Sequence, residues 1–367
     1  GGPYIPCVSL QPATGTFLLA NIATATVIMD ASLRASAANL AGVASAFTSR
    51  GPSRQSSGGL KPDIASTGDG ILSAASGQTA APYSASNSGT SMSSPSVAGM
   101  IATILSNPTY NSWTPAQIKA LIMNTATTVA NVNDAFGNPN PMVRYGAGVA
   151  NTFSAIQNQV IVYNTARPDV VSLTFGTVNA VMNGTATVRT ADLTVRNLSS
   201  NTATYNVSWV GVSNQAGVTV TASPSSISVA PGATTTVTVT LTANFTGIAT
   251  PHANTDPTRG SPPFLQVGNP RHWMSETTGY VSFSPTSGAA GVNQALRLNV
   301  YANARPASDM SAPDTLTSNT LSGTINIPLT GNSINSGAAY PNDIISMVTA
   351  LRLMGEDPAG DTAFNAP

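Results

Sequence analysis

Gly89-Thr90-Ser91-Met92-Ser93-Ser94-Pro95-Ser96-Val97-Ala98-Gly99 is the stretch on which the reading of this chain turns. From Ser93 to Leu105 the residues are small or apolar on every side. A helix without a polar stripe is expected to be buried all round, in the middle of an α/β core. Pro95 suits only the first helical turn, which predicts a helix start close to Ser91. Asn107-Pro108 then ends the helix. A serine hydroxyl is inert at its free pKa and becomes a nucleophile only when held rigidly beside a base. A helix start provides such a seat, because its unpaired amides and positive dipole end favour the oxyanion formed on attack. Gly89 allows the backbone to turn without a Cβ where a reactant must come close.

Downstream, Thr114-Pro115-Ala116-Gln117 carries three agreeing helix-start signals. Thr114 caps, Pro115 suits the first helical position, and Gln117 completes a capping box. Ile118, Leu121 and Ile122 then form one apolar stripe with Lys119 off it. Upstream, Ile5 to Leu10 and Ala23 to Met29 read as strands, with Thr14 to Ile22 a short helix between them. After about residue 165 the period changes from 3.6 to 2. Residues 170–175, 185–196, 202–210, 218–222 and 234–242 read as strands, with Asn183-Gly184 and Pro231-Gly232 as turns. Strands at this spacing without helices between them indicate an antiparallel sandwich. A further β set is expected over 279–301 and 320–329, with 245–275 a long loop. The fold class is therefore α/β followed by an all-β sandwich.

At 367 residues the chain suits two or three domains, and 41% hydrophobic residues exclude wholesale disorder. Charged residues make up only 8%, and 14 basic groups balance 14 acidic ones, leaving no field to attract nucleic acid or an anionic membrane. A surface solubilised by Ser, Thr, Asn and Gly suits an extracellular protein. Cys7 is the only cysteine, which excludes an internal disulfide and a cysteine zinc site. No cofactor or metal is expected, and no apolar run is long enough to span a membrane.

The segment 89–99 closely resembles the nucleophile signature of the subtilases, the subtilisin-like serine proteases (peptidase family S8). Phe47-Thr48-Ser49-Arg50-Gly51-Pro52 and Leu60-Lys61-Pro62-Asp63-Ile64 are similar to the two segments that precede it in long members carrying a protease-associated insert. Tyr145-Gly146-Ala147-Gly148-Val149-Ala150-Asn151 resembles the turn and last helix closing the catalytic domain. Ile5-Pro6-Cys7-Val8-Ser9 resembles the final strand of the insert. Leu193-Thr194-Val195-Arg196-Asn197 and Val229-Ala230-Pro231-Gly232 resemble a fibronectin-III-like module, expected to pack against the protease domain or to space it from other modules. These resemblances imply the end of an insert at 1–33, the C-terminal part of a catalytic domain at 34–158, a fibronectin-III-like sandwich at 166–335, and a linker or further module at 336–367. They imply a serine endopeptidase acting on polypeptides, with Ser91 as nucleophile and Gly89, Thr90, Ser91 and Met92 forming the motif and backbone oxyanion site.

A triad of this kind also needs a histidine and an aspartate, which subtilases place before the serine. No histidine precedes Ser91; the two present are His252 and His272. Asp30, Asp63 and Asp69 do precede it, but none stands in the family's catalytic context. Asp63 reads as an N-cap or turn residue, and Asp69, between two glycines, as a turn. The chain is thus expected to be an incomplete, inactive piece that needs an upstream part of the same protein. A competing reading is a secreted, non-catalytic β-module protein with a degenerate protease segment. A Gly-x-Ser-x-Gly hydrolase is discounted because the second glycine is absent. Four Asn-x-Ser/Thr triplets, at Asn183, Asn197, Asn206 and Asn244, matter only in a eukaryotic secretory route.

Overall fold

The computed structural model describes residues 20–21, 23–24, 43–53, 59–74, 84–127, 140–181, 185–244, 255–256, 275–307, 309–311 and 330–332. The chain divides into two units, 1–41 and 42–367. In the first, the Thr24 amide donates to the Asn21 carbonyl at 2.9 Å, closing a turn. The strands expected at 5–10 and 23–29 and the helix expected at 14–22 lie almost wholly outside the described residues, as do Cys7 and Asp30.

The second unit opens with an antiparallel hairpin of β1 (Ile71–Ala74) and β2 (Ser84–Asn87), followed by α1 (Thr90–Ser106) and α2 (Pro115–Asn124). The sequence expectation for α2 holds in detail. The Gln117 amide donates to Thr114 Oγ1 at 3.3 Å, and the Thr114 amide donates to Gln117 Oε1 at 2.8 Å, completing the capping box. Ile118, Leu121 and Ile122 are buried in one cluster with Ile104 and Tyr110. Two single-turn helices follow, α3 (Met142–Tyr145) and α4 (Thr152–Ala155), the latter capped by Asn151, whose Oδ1 accepts the Ser154 amide at 3.1 Å.

The β region follows as β3 (Val160–Asn164), β4 (Leu173–Val181), β5 (Thr187–Asn197), β6 (Ala203–Ser213), β7 (Val218–Ser223), β8 (Ser226–Val229), β9 (Thr234–Ala243), β10 (Thr277–Pro285) and β11 (Leu296–Ala307). One sheet has the order β4-β11-β10-β6-β8, the other β3-β5-β9-β7. A short antiparallel pair, β12 (Asp309–Ser311) with β13 (Thr330–Asn332), completes the described strands. Alternation sets which side faces inward: Val237, Val239 and Leu241 of β9 are buried together with Leu193 and Val195 of β5. Tyr205 and Phe283 meet edge-on, their rings 6.3 Å apart, inside that core. The sandwich is not wholly antiparallel, because β4 runs parallel to β11, two strands far apart in the chain. Parallel neighbours need a long connection, and the intervening strands supply one. Asn197, one of the four triplet asparagines, is fully buried. Its amide donates to the carbonyls of Asn201 and Val229 at 2.7 and 2.9 Å, so this side chain fastens a turn and does not face solvent.

The outer face of β10 and β11 is covered by the segment before the sandwich. Tyr301 clusters with Leu60 and Val143. Asn124, at the end of α2, accepts the Val162 amide at 2.8 Å and donates to the Arg297 carbonyl at 2.9 Å, tying the helix to both sheets. At the same junction Arg50 donates to Asp256 Oδ2 at 2.9 Å and reaches both oxygens of Glu276, while the Tyr301 hydroxyl donates to Glu276 Oε1 at 3.0 Å. Desolvation works against the Arg50 guanidinium, but the charge of Glu276 and the hydrogen bonds to both carboxylates outweigh it and keep Arg50 ionised.

Burial pushes the phenols of Tyr110 and Tyr145 from 10.0 up to about 12. Folding thus favours the neutral phenol. That stability is fully present below the ordinary phenol range and is lost as pH rises through the folded value. Tyrosinate absorbance should therefore contain a late fraction that Tyr110→Phe and Tyr145→Phe each reduce. Ionisation of every tyrosine in the ordinary range, with the fold intact, would contradict this.

Candidate active site

Ser91 is the second residue of α1 and is exposed. The amides of Thr90 and Ser91, at the first two helical positions, have no acceptor within the helix. The Met92 amide closes the first turn onto the Gly89 carbonyl at 3.0 Å. Gly89 is the N-cap residue, with φ 156° and ψ 162°, a region essentially closed to any residue with a Cβ. The sequence thus places Gly89, Thr90, Ser91 and Met92 together at one exposed helix start.

Two expectations about this helix are corrected. Pro95 lies at the sixth helical position, beyond the first turn. There it cannot donate to the Ser91 carbonyl, the bond that an amide at that position would make. Nor is α1 buried all round, since Ile104 is its only buried residue. Val97, Met100 and Ile101 pack partly against the Ile118–Leu121 cluster, while Ser94, Ala98, Ala102 and Leu105 are exposed. An apolar helix is buried on all sides only when chain covers both flanks, and the described residues cover one.

The segment beneath the helix start is Ser66–Gly70. The Gly89 amide donates to the Gly68 carbonyl at 2.8 Å, and Ser93 Oγ donates to the Ser66 carbonyl at 3.1 Å. A Cβ on Gly68 would come within 2.1 Å of Ser93 Oγ, so only glycine permits this approach. Asp63 neither caps a helix nor approaches Ser91 through any described contact. Its Oδ2 pairs with Lys61 at 2.6 Å and Lys119 at 3.2 Å, and its carbonyl accepts the Ala147 amide at 3.0 Å. Asp69 does more than turn the chain: its carboxylate accepts the Ser88 hydroxyl at 2.5 Å. His252 and His272 lie outside the described residues. Among the described residues no cluster of three or more His, Cys, Asp or Glu side chains is placed to hold a metal. No described helix is long and apolar enough to cross a membrane.

Residues 20–148, which include the Ser91 helix start and the cradle beneath it, match the model of the subtilase family. Over these residues the chain is similar to the subtilases. Subtilisin-like protease SBT1.2 of Arabidopsis thaliana is 38% identical over 138 residues, covering 34% of this chain and 17% of that protein. Minor extracellular protease Vpr of Bacillus subtilis (strain 168) is 39% identical over 118 residues, covering 32% of this chain and 14% of that protein. The chain thus spans less than a fifth of the length of these relatives. The matched segment ends before the first strand of the sandwich.

The sequence reading missed Arg50, Asp256, Glu276 and Tyr301 as a group. A signal was present in composition: in a chain with only two glutamates, Glu276 stands beside a predicted apolar strand. A buried carboxylate in such a place requires a cation, and arginine is the residue best built to pair with it.

Proposed function

We propose that this chain is the nucleophile-bearing part of a subtilisin-type serine endopeptidase. Ser91 attacks a peptide carbonyl after passing its proton to a histidine. The amine leaves with that proton, and water releases the acyl group from Ser91. The backbone amide of Ser91 is the oxyanion donor that this chain contributes. What carries the reading is one observation: an exposed serine at a helix start, behind a glycine in a conformation that other residues avoid, inside a subtilase segment.

The histidine and the aspartate come from an upstream part of the same protein, which also covers the exposed flank of α1. Two facts support this: no histidine precedes Ser91, and subtilisin-like relatives are several times longer than the stretch they share with this chain. Residues 34–158 then form the C-terminal part of the catalytic domain. The β region is a fibronectin-III-like sandwich that packs on that part. A surface poor in charge, and the extracellular naming of the Bacillus relative, favour a secreted protein acting on polypeptides.

The test compares the 367-residue chain with the complete protein on an unfolded polypeptide substrate. Hydrolysis by the complete protein and none by the chain is the expected outcome. Turnover by the chain alone would show that its own residues complete the site.

A further inference from the structure

The Ser88–Gly89 turn is held by a carboxylate that no part of the catalytic triad accounts for. The Ser88 hydroxyl has one proton, and it is committed to Asp69 Oδ1 at 2.5 Å, a charge-assisted contact. With the proton fixed there, the Ser88 oxygen accepts the Gly70 amide at 2.8 Å. One residue on, the Gly89 amide donates to the Gly68 carbonyl at 2.8 Å. Asp69 Oδ2 accepts a second, longer contact from Ser45 Oγ at 3.4 Å. The Ser66 and Ser96 hydroxyls meet at 3.0 Å further along the helix. These contacts clamp both sides of the turn from which α1 starts. The helix has no acidic residue in its first turn. Asp69, from a separate segment, instead places a carboxylate one hydrogen bond from the residue preceding the N-cap.

We propose that Asp69 is a positioning residue for Ser91, acting through the Ser88 hydroxyl to set the backbone turn that aims the Ser91 hydroxyl and amide. The proposal rests on the reading of Ser91 as nucleophile. The physical reason for such a device is the open conformation of Gly89. Glycine admits that conformation but does not enforce it, because it populates many others as readily. Enforcement must come from neighbours, and the Asp69–Ser88–Gly70 and Gly68–Gly89 contacts grip the chain just before Ser91. The contacts of Asp69 run to Ser88 and Ser45 and not to Ser91, so its effect belongs to orientation. A nucleophile and oxyanion donor displaced by a fraction of an ångström to an ångström lose rate without losing substrate affinity.

The test uses the complete protein. Asp69→Ala and Ser88→Ala should each lower kcat by roughly 10- to 100-fold, the scale of a small misplacement, with KM and melting temperature unchanged. Asp69→Asn, which still accepts the Ser88 hydroxyl without the charge, should recover part of the loss. The double variant should lose no more than the more damaging single one, because both remove the Asp69–Ser88 contact. The proposal is overturned if Asp69→Ala keeps full kcat. It is equally overturned if KM and melting temperature change along with kcat, or if the two losses multiply. Ser91→Ala is the control that separates the two ideas. If that variant still turns over, the nucleophile reading itself is wrong and Asp69 has nothing to position. If it is dead while Asp69→Ala is unimpaired, only the positioning role fails.

Discussion

Ser91→Ala in the complete protein is expected to lower kcat for peptide hydrolysis by on the order of 10⁶-fold, the scale on which removing the nucleophile disables a concerted triad. KM should change little, because the hydroxyl contributes to bond making and not to holding the peptide. The fold should be unaffected, since Ser91 is exposed. Ser91→Cys is the informative companion. It retains a nucleophile, but with a longer bond and a larger atom, so it should keep some reaction with a thiol-reactive probe while losing peptide hydrolysis. Loss of activity together with loss of folding would remove the argument, because it would make Ser91 a structural residue.

The second large effect concerns the junction between the helical segment and the sandwich. The Arg50 side chain is 11% exposed, and those of Asp256 and Glu276 are 0% exposed. Substituting Arg50 by methionine strands two buried carboxylates beside an apolar side chain. Breaking a buried pair from one side costs about 3–5 kcal/mol, much of it the penalty of the charge left behind. Since whole domains are stable by only about 5–15 kcal/mol, Arg50→Met should unfold much of the population in mild denaturant. Arg50→Lys keeps the charge but not the two-pronged geometry, and should cost less. Adding Asp256→Asn and Glu276→Gln to Arg50→Met should recover a large part of the loss, because it removes the stranded charges. Denaturant midpoints across this set measure the coupling directly. Near-neutral behaviour of Arg50→Met would mean that the network adds little to the junction.

These two effects also mark how far the sequence could be read. The start of α2 was legible to the residue, since Thr114, Pro115 and Gln117 act on their immediate neighbours. Strands β5, β6, β7 and β9 were legible because they alternate, as strands with one buried face must, whereas the strand expected at 170–175 runs over Leu173–Val181 as β4. Val160-Ile161-Val162-Tyr163, now β3, carries the continuous apolar run of a buried strand. It stands just beyond the helical part, where the period of the chain is changing, and no turn signal sets it apart. Ser226–Val229, now β8, is too short to establish a period of its own. What local pattern could not supply was pairing across distance. Arg50 and Glu276 are separated by 226 positions, and nothing at either end names the other. The parallel contact of β4 with β11 was hidden for the same reason. The burial of α1 was misjudged for a related one: composition says that a helix tolerates being covered, not that chain is present to cover it. At the site, the motif around Ser91 was readable because spacing, glycine and helix start all act within a few residues. Asp69 looked like a turn residue because its partner, Ser88, lies in another segment.

On the proposed mechanism, the hydroxyl at the exposed start of α1 is the group that is acylated. The most direct measurement treats the complete protein with a fluorophosphonate and locates the adduct by mass spectrometry of its peptides. A single adduct on Ser91, absent from the 367-residue chain alone and from Ser91→Ala, is the result expected. An adduct on any other residue, or one that persists in Ser91→Ala, would contradict it.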